Sequence, residues 1–146
     1  MEFLFSANPG QPLKPLGKVA SGGELSRVSL AIQVICARNL TVPSLVFDEV
    51  DVGVGGGVAE IVGRLLRELG QHAQVLCITH QPQVASQGHQ HWQVHKIQGD
   101  DTTHTRIQGL DETARVEELA RMLGGVEITE STRNHAKEML SKAQAA

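Results

Sequence analysis

Apolar and polar positions along the 146-residue chain alternate between short strand-like runs and longer helix-like stripes. Two continuous apolar runs, Ser44–Phe47 and Gln74–Thr79, are typical of strands that are buried on both faces. Between them, apolar residues at helical spacing extend from Val58 to Leu69 and stop at Gly70. This order predicts two parallel strands joined by a helix, with a ligand crevice at the carboxyl ends of the strands.

The amino-terminal stretch predicts a short strand and then a long helix. Apolar residues at positions 2–6 stop at the turn signal Asn8-Pro9-Gly10, and prolines keep positions 11–18 extended. A helix of about eighteen residues is then expected to begin at Ser21. Its apolar stripe is predicted at Leu25, Val28, Ile32 and Ile35.

The carboxyl-terminal third predicts a hairpin and two helices. Strand-like segments at His91–Gln98 and Thr102–Gln108 flank the turn signal Gly99-Asp100-Asp101, which favours an antiparallel hairpin. One helix is expected from Glu112 to Leu123, and another over Glu130–Lys142.

The first of these two helices has an apolar side and a charged side. Glu117 and Arg121 stand four positions apart and are expected to form an ordinary surface ion pair. The residues expected to pack inward are Val116, Leu119, Ala120 and Leu123.

Composition limits these elements to one domain with an aliphatic core. Hydrophobic residues make up 40% of the chain and aromatic residues only 3%, the aromatic exceptions being Phe3, Phe5, Phe47 and Trp92. The net charge is -3, and no cluster of Lys and Arg marks a self-sufficient nucleic-acid binder. There is also no apolar run of membrane-spanning length and no basic-then-apolar leader, which predicts a cytoplasmic protein without a membrane partner.

The cysteines and one group of histidines receive structural interpretations. Cys36 and Cys77 have no metal-ligand spacing and are expected to be small buried hydrophobic residues. His89, His91 and His95 lie close together in the sequence, and His91 and His95 would share a strand face, but no third ligand is expected on neighbouring structure. Exposure to solvent is therefore favoured over a zinc site.

Two glycines in the first turn of the long amino-terminal helix are the most informative local feature. Ser21 and Glu24 form a capping box, in which each side chain satisfies the backbone N–H of the other residue. Gly22 and Gly23 lower helix propensity, yet they allow a ligand to come close to the exposed N–H groups. The segment therefore indicates a weak anion site that a partner surface would complete.

Acidic residues follow the first buried strand. Asp48 at a strand tip suits Mg²⁺, which takes carboxylate oxygens and keeps waters, and Glu49 would then polarise an attacking water. On the pattern alone, two acids that merely end a strand in solvent are an equal alternative. Asp51 and His80 are expected along the same crevice and favour phosphate chemistry.

These motifs, in this order, resemble those of ABC-type ATPases. Ser21-Gly22-Gly23-Glu24 is similar to the signature motif, Asp48-Glu49 to Walker B, Asp51 to the D-loop aspartate and His80 to the switch histidine. Longer strings resemble the RecN family of bacterial DNA double-strand-break repair ATPases, with the SMC proteins as the nearest relatives. The strings are Phe3-Leu4-Phe5-Ser6-Ala7-Asn8-Pro9-Gly10, Phe47-Asp48-Glu49-Val50-Asp51-Val52-Gly53, Thr79-His80-Gln81-Pro82-Gln83-Val84-Ala85 and Ala120-Arg121-Met122-Leu123-Gly124-Gly125.

The resemblance implies a single α/β domain over residues 1–146, the C-terminal half of an ABC-type head, with a mainly parallel sheet flanked by helices and a terminal hairpin. The Walker A half, earlier in the same protein, would be its first partner, so that Met1 lies inside a longer polypeptide. No G-x-x-x-x-G-K-[ST] occurs in the chain, because Gly17-Lys18 lacks both the earlier glycine and the following hydroxyl. The chain alone is therefore expected to be inactive.

The resemblance also implies roles and partners for a complete head with ATP and Mg²⁺. Asp48 orders the cation, Glu49 is the general base, His80 contacts the γ-phosphate, Asp51 links two sites, and Ser21, Gly22, Gly23 and Glu24 reach the nucleotide of a second head in an ATP-dependent dimer. DNA would be reached through the full-length, nucleoid-associated protein. Two alternatives stay open: a transporter-type nucleotide-binding half-domain, disfavoured by Val50 where transporters usually have leucine, and a non-enzymatic anion-binding module.

Overall fold

The computed structural model describes residues 4–6, 10–15, 28–29, 31–33, 35–37, 42–48, 51, 53–98, 102–125 and 127–145. The strands are β1 (Leu4–Phe5), β2 (Lys14–Pro15), β3 (Ser44–Asp48), β4 (Gln74–Ile78), β5 (Trp92–Gln98) and β6 (Thr103–Gly109). The helices are α1 (Gly57–Leu69), α2 (Pro82–Ala85), α3 (Glu112–Gly124) and α4 (Glu130–Ala145), and residues 28–29, 31–33 and 35–37 are also helical.

The predicted strand–helix–strand unit is present. β3 and β4 pair in parallel, with Val46 opposite Leu76 and Asp48 opposite Ile78, and α1 makes the connection between them. A parallel pair needs such a crossover, because the carboxyl end of the first strand and the amino end of the second lie at opposite ends of the strands. α1 stops at Gly70, whose N–H donates to the Leu66 carbonyl at 2.9 Å.

One face of the parallel pair packs against α1. Phe47 is buried on this face, and Leu45, Val75 and Cys77 are partly buried around it. α1 contributes a buried apolar stripe made of Ala59, Val62, Leu66 and Leu69. Burial of a large aliphatic or aromatic side chain is worth about 1.5–3 kcal/mol, so this layer accounts for much of the stability of the unit.

The opposite face of the pair is not covered by any described residue. Val46, Leu76 and Ile78 are 66%, 55% and 52% exposed. Side chains alternate along a strand, so these three necessarily lie on the side away from α1. The prediction that both faces of the strands are buried is therefore wrong within the described residues. Ile32 and Ile35, from the predicted stripe of the amino-terminal helix, are exposed as well.

Two antiparallel pairs supply the other described strands, so the sheets in this part of the chain are not mainly parallel. β1 pairs with β2, and β5 pairs with β6 with Val94 opposite Ile107, as the predicted hairpin requires. Short connections permit only the antiparallel arrangement, whereas a parallel pair needs a long crossover. Trp92 is 58% exposed on this hairpin and lies outside the core.

The two carboxyl-terminal helices pack on each other around a second core. Asp111 caps α3 by accepting the Ala114 N–H at 2.8 Å. Leu119, Ala120, Ala136 and Leu140 are buried between the helices, with Val116 and Leu123 partly buried against them, in agreement with the predicted inward side. Ala85 of α2 belongs to the same cluster, which joins this core to the segment that follows β4.

The predicted ion pair between Glu117 and Arg121 is not formed. Arg121 instead contacts Glu118, with Nη2 2.6 Å from Oε1, and Glu117 pairs with Arg133 of α4 at 2.8 Å. Helix spacing allows contacts at both three and four positions, and tertiary partners decide between them. Glu118 is nearly buried and also accepts a 2.5 Å hydrogen bond from Gln93 of β5, which fixes its side chain toward Arg121.

We expect Glu118→Gln to lower the free energy of unfolding by about 1.5–3 kcal/mol, because a buried charged acceptor with two donors would lose its charge. The matched variant Glu117→Gln removes an exposed ion pair and should cost less than about 1 kcal/mol. Urea unfolding followed by circular dichroism measures both changes. Equal losses in the two variants would contradict the structural role of Glu118.

Candidate functional site

The carboxyl ends of β3 and β4 bring three of the predicted site residues to one edge. Asp48 is the last residue of β3 and lies opposite Ile78, the last residue of β4. His80 follows β4 by two positions, and Asp51 follows β3 by three. The structure therefore places Asp48, Asp51 and His80 at the same edge of the parallel pair.

Asp51 is fully buried at this edge. Its Oδ2 accepts hydrogen bonds from the Thr79 hydroxyl and, at 3.3 Å, from the Gln81 N–H. Its Oδ1 is also buried and accepts no hydrogen bond from the described residues, while His80 Nδ1 lies 3.8 Å away. The carboxylate thus ties the loop after β3 to the turn after β4.

A tight turn and two glycines shape the loop that carries Asp51. The Val54 N–H donates to the Asp51 carbonyl at 3.1 Å and closes the turn. Gly53 and Gly56 have φ of 72° and 55°, values that residues with a Cβ adopt only at a cost. A Cβ at Gly56 would meet nothing within 4 Å, so backbone conformation and not crowding requires glycine there.

His80 lies over Asp51 with 69% of its side chain exposed. The next residue, Gln81, donates from Nε2 to the Val54 carbonyl at 3.1 Å, and the same nitrogen is 3.4 Å from His80 Nε2. Each ring nitrogen therefore lies near a group that is anchored in the loop. An imidazole held in this way still presents most of its surface to a ligand at the sheet edge.

The carboxylates of Asp48 and Asp51 both act on the thiol of Cys77, near the end of β4. Burial, together with the nearby charges of Asp51 and Asp48, raises the pKa of the Cys77 thiol to about 11. Both carboxylates are therefore close enough to the end of β4 to act on the same thiol. A thiol with so high a pKa is unreactive near neutral pH. The other cysteine, Cys36, is exposed, so the prediction that it is buried is wrong.

Asp48 has the chemistry expected of a ligand for a hard cation. Its side chain is exposed at the tip of β3, and Mg²⁺ is commonly held by one or two carboxylates together with waters and substrate phosphates. In the part of the chain that the structure describes, no group of three or more His, Cys, Asp or Glu could hold a metal ion.

Five predicted site residues lie outside the described residues, namely Ser21, Gly22, Gly23, Glu24 and Glu49. Their assignments to the anion-binding helix end and to water activation stay predictions from the sequence.

The three histidines near residue 90 have different environments. His89 and His95 are exposed. The Nδ1 atom of His91 is buried without a hydrogen-bond partner among the described residues, and burial together with the nearby Arg115 lowers the pKa of His91. The prediction that all three face solvent is therefore wrong for His91.

Sequence reasoning assigned no role to Thr79 or Gln81, although both hold the site together. Thr79 donates to Asp51, and Gln81 contacts Asp51, Val54 and His80. Their positions in the sequence were the one indication of this role, because Thr79 and Gln81 flank His80 at the carboxyl end of β4, where ligands of such sheets bind.

The sequence is similar to DNA repair proteins, although no protein-family model matches it. It is 59% identical over 141 residues to DNA repair protein RecN of Vibrio cholerae and 48% identical over 143 residues to that of Bacillus subtilis. These matches cover 97% and 98% of the chain but 26% and 25% of the relatives. The chain therefore spans about a quarter of the length of these relatives.

The fold is similar to solved heads of SMC ATPases. The SMC head domain from Thermotoga maritima is 30% identical, with a TM-score of 0.55 over 70% of this chain and 37% of that chain. A structure described as "Structural biochemistry of ATP-driven dimerization and DNA stimulated activation of SMC ATPases" has a TM-score of 0.63 at 18% identity, over 81% of this chain and 70% of that one. No helix among the described residues is long and apolar enough to cross a membrane.

Proposed function

Because this chain is RecN-like over 97% of its length, as its motifs predicted, we propose that it forms the C-terminal part of the ATP-binding head of a DNA repair protein. The observation that carries the proposal is the meeting of Asp48 and His80 at one edge of a parallel strand pair, above the buried Asp51. Ligands of open α/β sheets bind outside the carboxyl ends of the strands. A nucleotide phosphate with its cation suits that position.

Each residue of the proposed site has one task. Asp48 holds the cation, and Mg²⁺ would neutralise charge on the phosphates when bound. His80 contacts the γ-phosphate from the end of β4, and Glu49 polarises the attacking water as general base. Ser21, with the Gly22 and Gly23 amides and Glu24, would face the nucleotide of a second head.

The proposed partners follow from what the chain lacks and from its relatives. No phosphate-binding loop of the G-x-x-x-x-G-K-[ST] type occurs in its 146 residues, so a segment carrying that loop must complete the site. ATP-driven dimerization and DNA-stimulated activation are described for SMC ATPases of similar fold, and we propose a second head and DNA as partners of the longer polypeptide. Its place would be the cytoplasm, at the nucleoid.

The RecN relatives do not favour the transporter alternative. A second candidate function, an anion-binding interaction module, is favoured by one observation: the hydrogen bonds of Asp51 tie its loop to Thr79 and Gln81 in the turn after β4. In such a module the acids would be structural. The two functions are separated by whether the chain, once combined with the segment that carries the phosphate-binding loop, hydrolyses ATP in the presence of Mg²⁺.

We expect the chain alone to hydrolyse no ATP, and to gain turnover when mixed with a separately produced segment that carries the phosphate-binding loop. The reason is that this loop supplies most of the contacts that hold the triphosphate. Phosphate release is measured for each part and for the mixture, with the loop lysine replaced by alanine in the control mixture. Turnover by the chain alone that Glu49→Gln abolishes would contradict the proposal.

A further inference from the structure

We propose that Asp51 is a positioning residue for His80: its buried carboxylate holds the imidazole with the proton on Nδ1 and leaves Nε2 for the ligand. The identity of that ligand, a nucleotide phosphate, rests on the proposed function. Because a phosphate oxygen accepts, Nε2 takes up a second proton and donates when the phosphate binds, while the Nδ1–H stays toward Asp51. The positioning itself rests on contacts within the loops that follow β3 and β4.

The contacts of Gln81 favour Nδ1 as the nitrogen of His80 that carries the proton. The Val54 carbonyl can only accept, so the Gln81 side-chain amide must face it with its nitrogen. That nitrogen can only donate and lies 3.4 Å from His80 Nε2, so this contact favours an unprotonated Nε2. In the neutral ring the proton is therefore on Nδ1, the atom that faces Asp51 Oδ1 at 3.8 Å.

The remaining contacts of Asp51 keep its carboxylate in this orientation. Oδ2 is held by the Thr79 hydroxyl and the Gln81 N–H, so the side chain cannot turn away without losing both donors. Oδ1 is buried and lacks a hydrogen-bond donor among the described residues, a condition that is costly for a carboxylate. A rotation of the exposed ring that shortens the 3.8 Å between Nδ1 and Oδ1 would supply the missing donor.

This role differs from the one that the resemblance implies for Asp51, which stays a prediction. A residue that links two sites has to reach a second surface, whereas Asp51 is 0% exposed and bound to the turn that carries His80. A buried carboxylate behind a histidine is also a known way to set its tautomer, as in the triad of serine proteases. Asp51 thus acts through His80 and not on the nucleotide.

The tautomer of His80 in the chain itself is the direct test. Two-bond ¹H–¹⁵N correlations of the imidazoles report it at a pH where the ring is neutral, with His80→Gln used to assign the signal. We expect Nδ1–H in the unaltered chain and Nε2–H in Asp51→Asn, because the new amide can donate to Nδ1. Asp111→Asn, which keeps the cap of α3, is the matched control and should leave the signal unchanged.

Several outcomes would overturn the positioning role. An Nε2–H signal in the unaltered chain does so whatever the variants show, and so does an unchanged Nδ1–H signal in a folded Asp51→Asn chain. If that variant does not fold, Thr79→Val removes one donor to Asp51 and should lower the Nδ1–H fraction. No change in that variant counts against the role too.

In a head completed by the segment with the phosphate-binding loop, Asp51→Asn should lower kcat for ATP hydrolysis about 10- to 100-fold and leave KM near its original value. Losses of this size are typical when a carboxylate that orients a functional histidine is removed. This measurement separates the two proposals. A switch of tautomer without a loss of kcat keeps Asp51 as the residue that positions His80, but contradicts the proposed contact of His80 with the γ-phosphate.

Discussion

Replacing Glu49 with glutamine should leave ATP bound to a completed head and slow its hydrolysis by about 10²- to 10⁴-fold, the usual contribution of a general base. Glu49 directly follows Asp48, the exposed residue at the tip of β3, so the sequence puts it beside the proposed cation site. The amide keeps the size of the side chain but cannot take a proton from water. Single-turnover hydrolysis and equilibrium nucleotide binding measure the two effects separately.

The control for this variant is Glu138→Gln, which makes the same change at an exposed position of α4. Its turnover should match that of the unaltered head. If Glu49→Gln weakens nucleotide binding as much as it slows hydrolysis, Glu49 belongs to the cation site or to folding, and the assignment of the base is wrong.

Replacing Ser21 with arginine should abolish ATP-dependent pairing of two heads while each head still binds Mg²⁺-ATP. The arginine removes the predicted helix cap, at a cost of about 0.5–2 kcal/mol, and crowds the surface where the phosphate of a second head must come close. Sedimentation in a Glu49→Gln background makes the loss visible, because slow hydrolysis lets the ATP-bound dimer accumulate.

Ser141→Arg places the same side chain at an exposed position of α4 and serves as the control, since it should leave the dimer intact. Heads with Ser21→Arg that still dimerise with ATP would show that the motif does not act on a second site. Ser21 and Glu24 would then be a capping box and nothing more.

Local rules predicted the elements around the site because the information needed lies within a few residues. Apolar runs that end in polar side chains gave β3 and β4, and the helical stripe that ends at Gly70 gave α1 between them. The parallel pairing followed from that order alone, since a helix between two strands can carry the chain back to the end of the sheet where the first strand began. Asp48 and His80 were predicted at this edge for the same reason.

Other features depend on residues far apart in sequence and were not predictable from local pattern. The burial of Asp51 requires Thr79 and Gln81, which lie 28 and 30 positions away. Arg121 selects Glu118 because Gln93, on another element, fixes that carboxylate. A spacing rule identifies which partners are within reach, but the tertiary neighbours decide which one is used.

The exposed apolar face formed by Val46, Leu76 and Ile78 affects how variants of this chain should be interpreted. Each of these side chains keeps half or more of its surface in water, so truncating one removes little that the chain alone has buried. Where a longer polypeptide covers the face, the same truncation would cost about 25 cal/mol for each Å² of apolar surface involved. Tolerance of substitutions measured on the isolated chain is therefore no guide to their tolerance in a complete head.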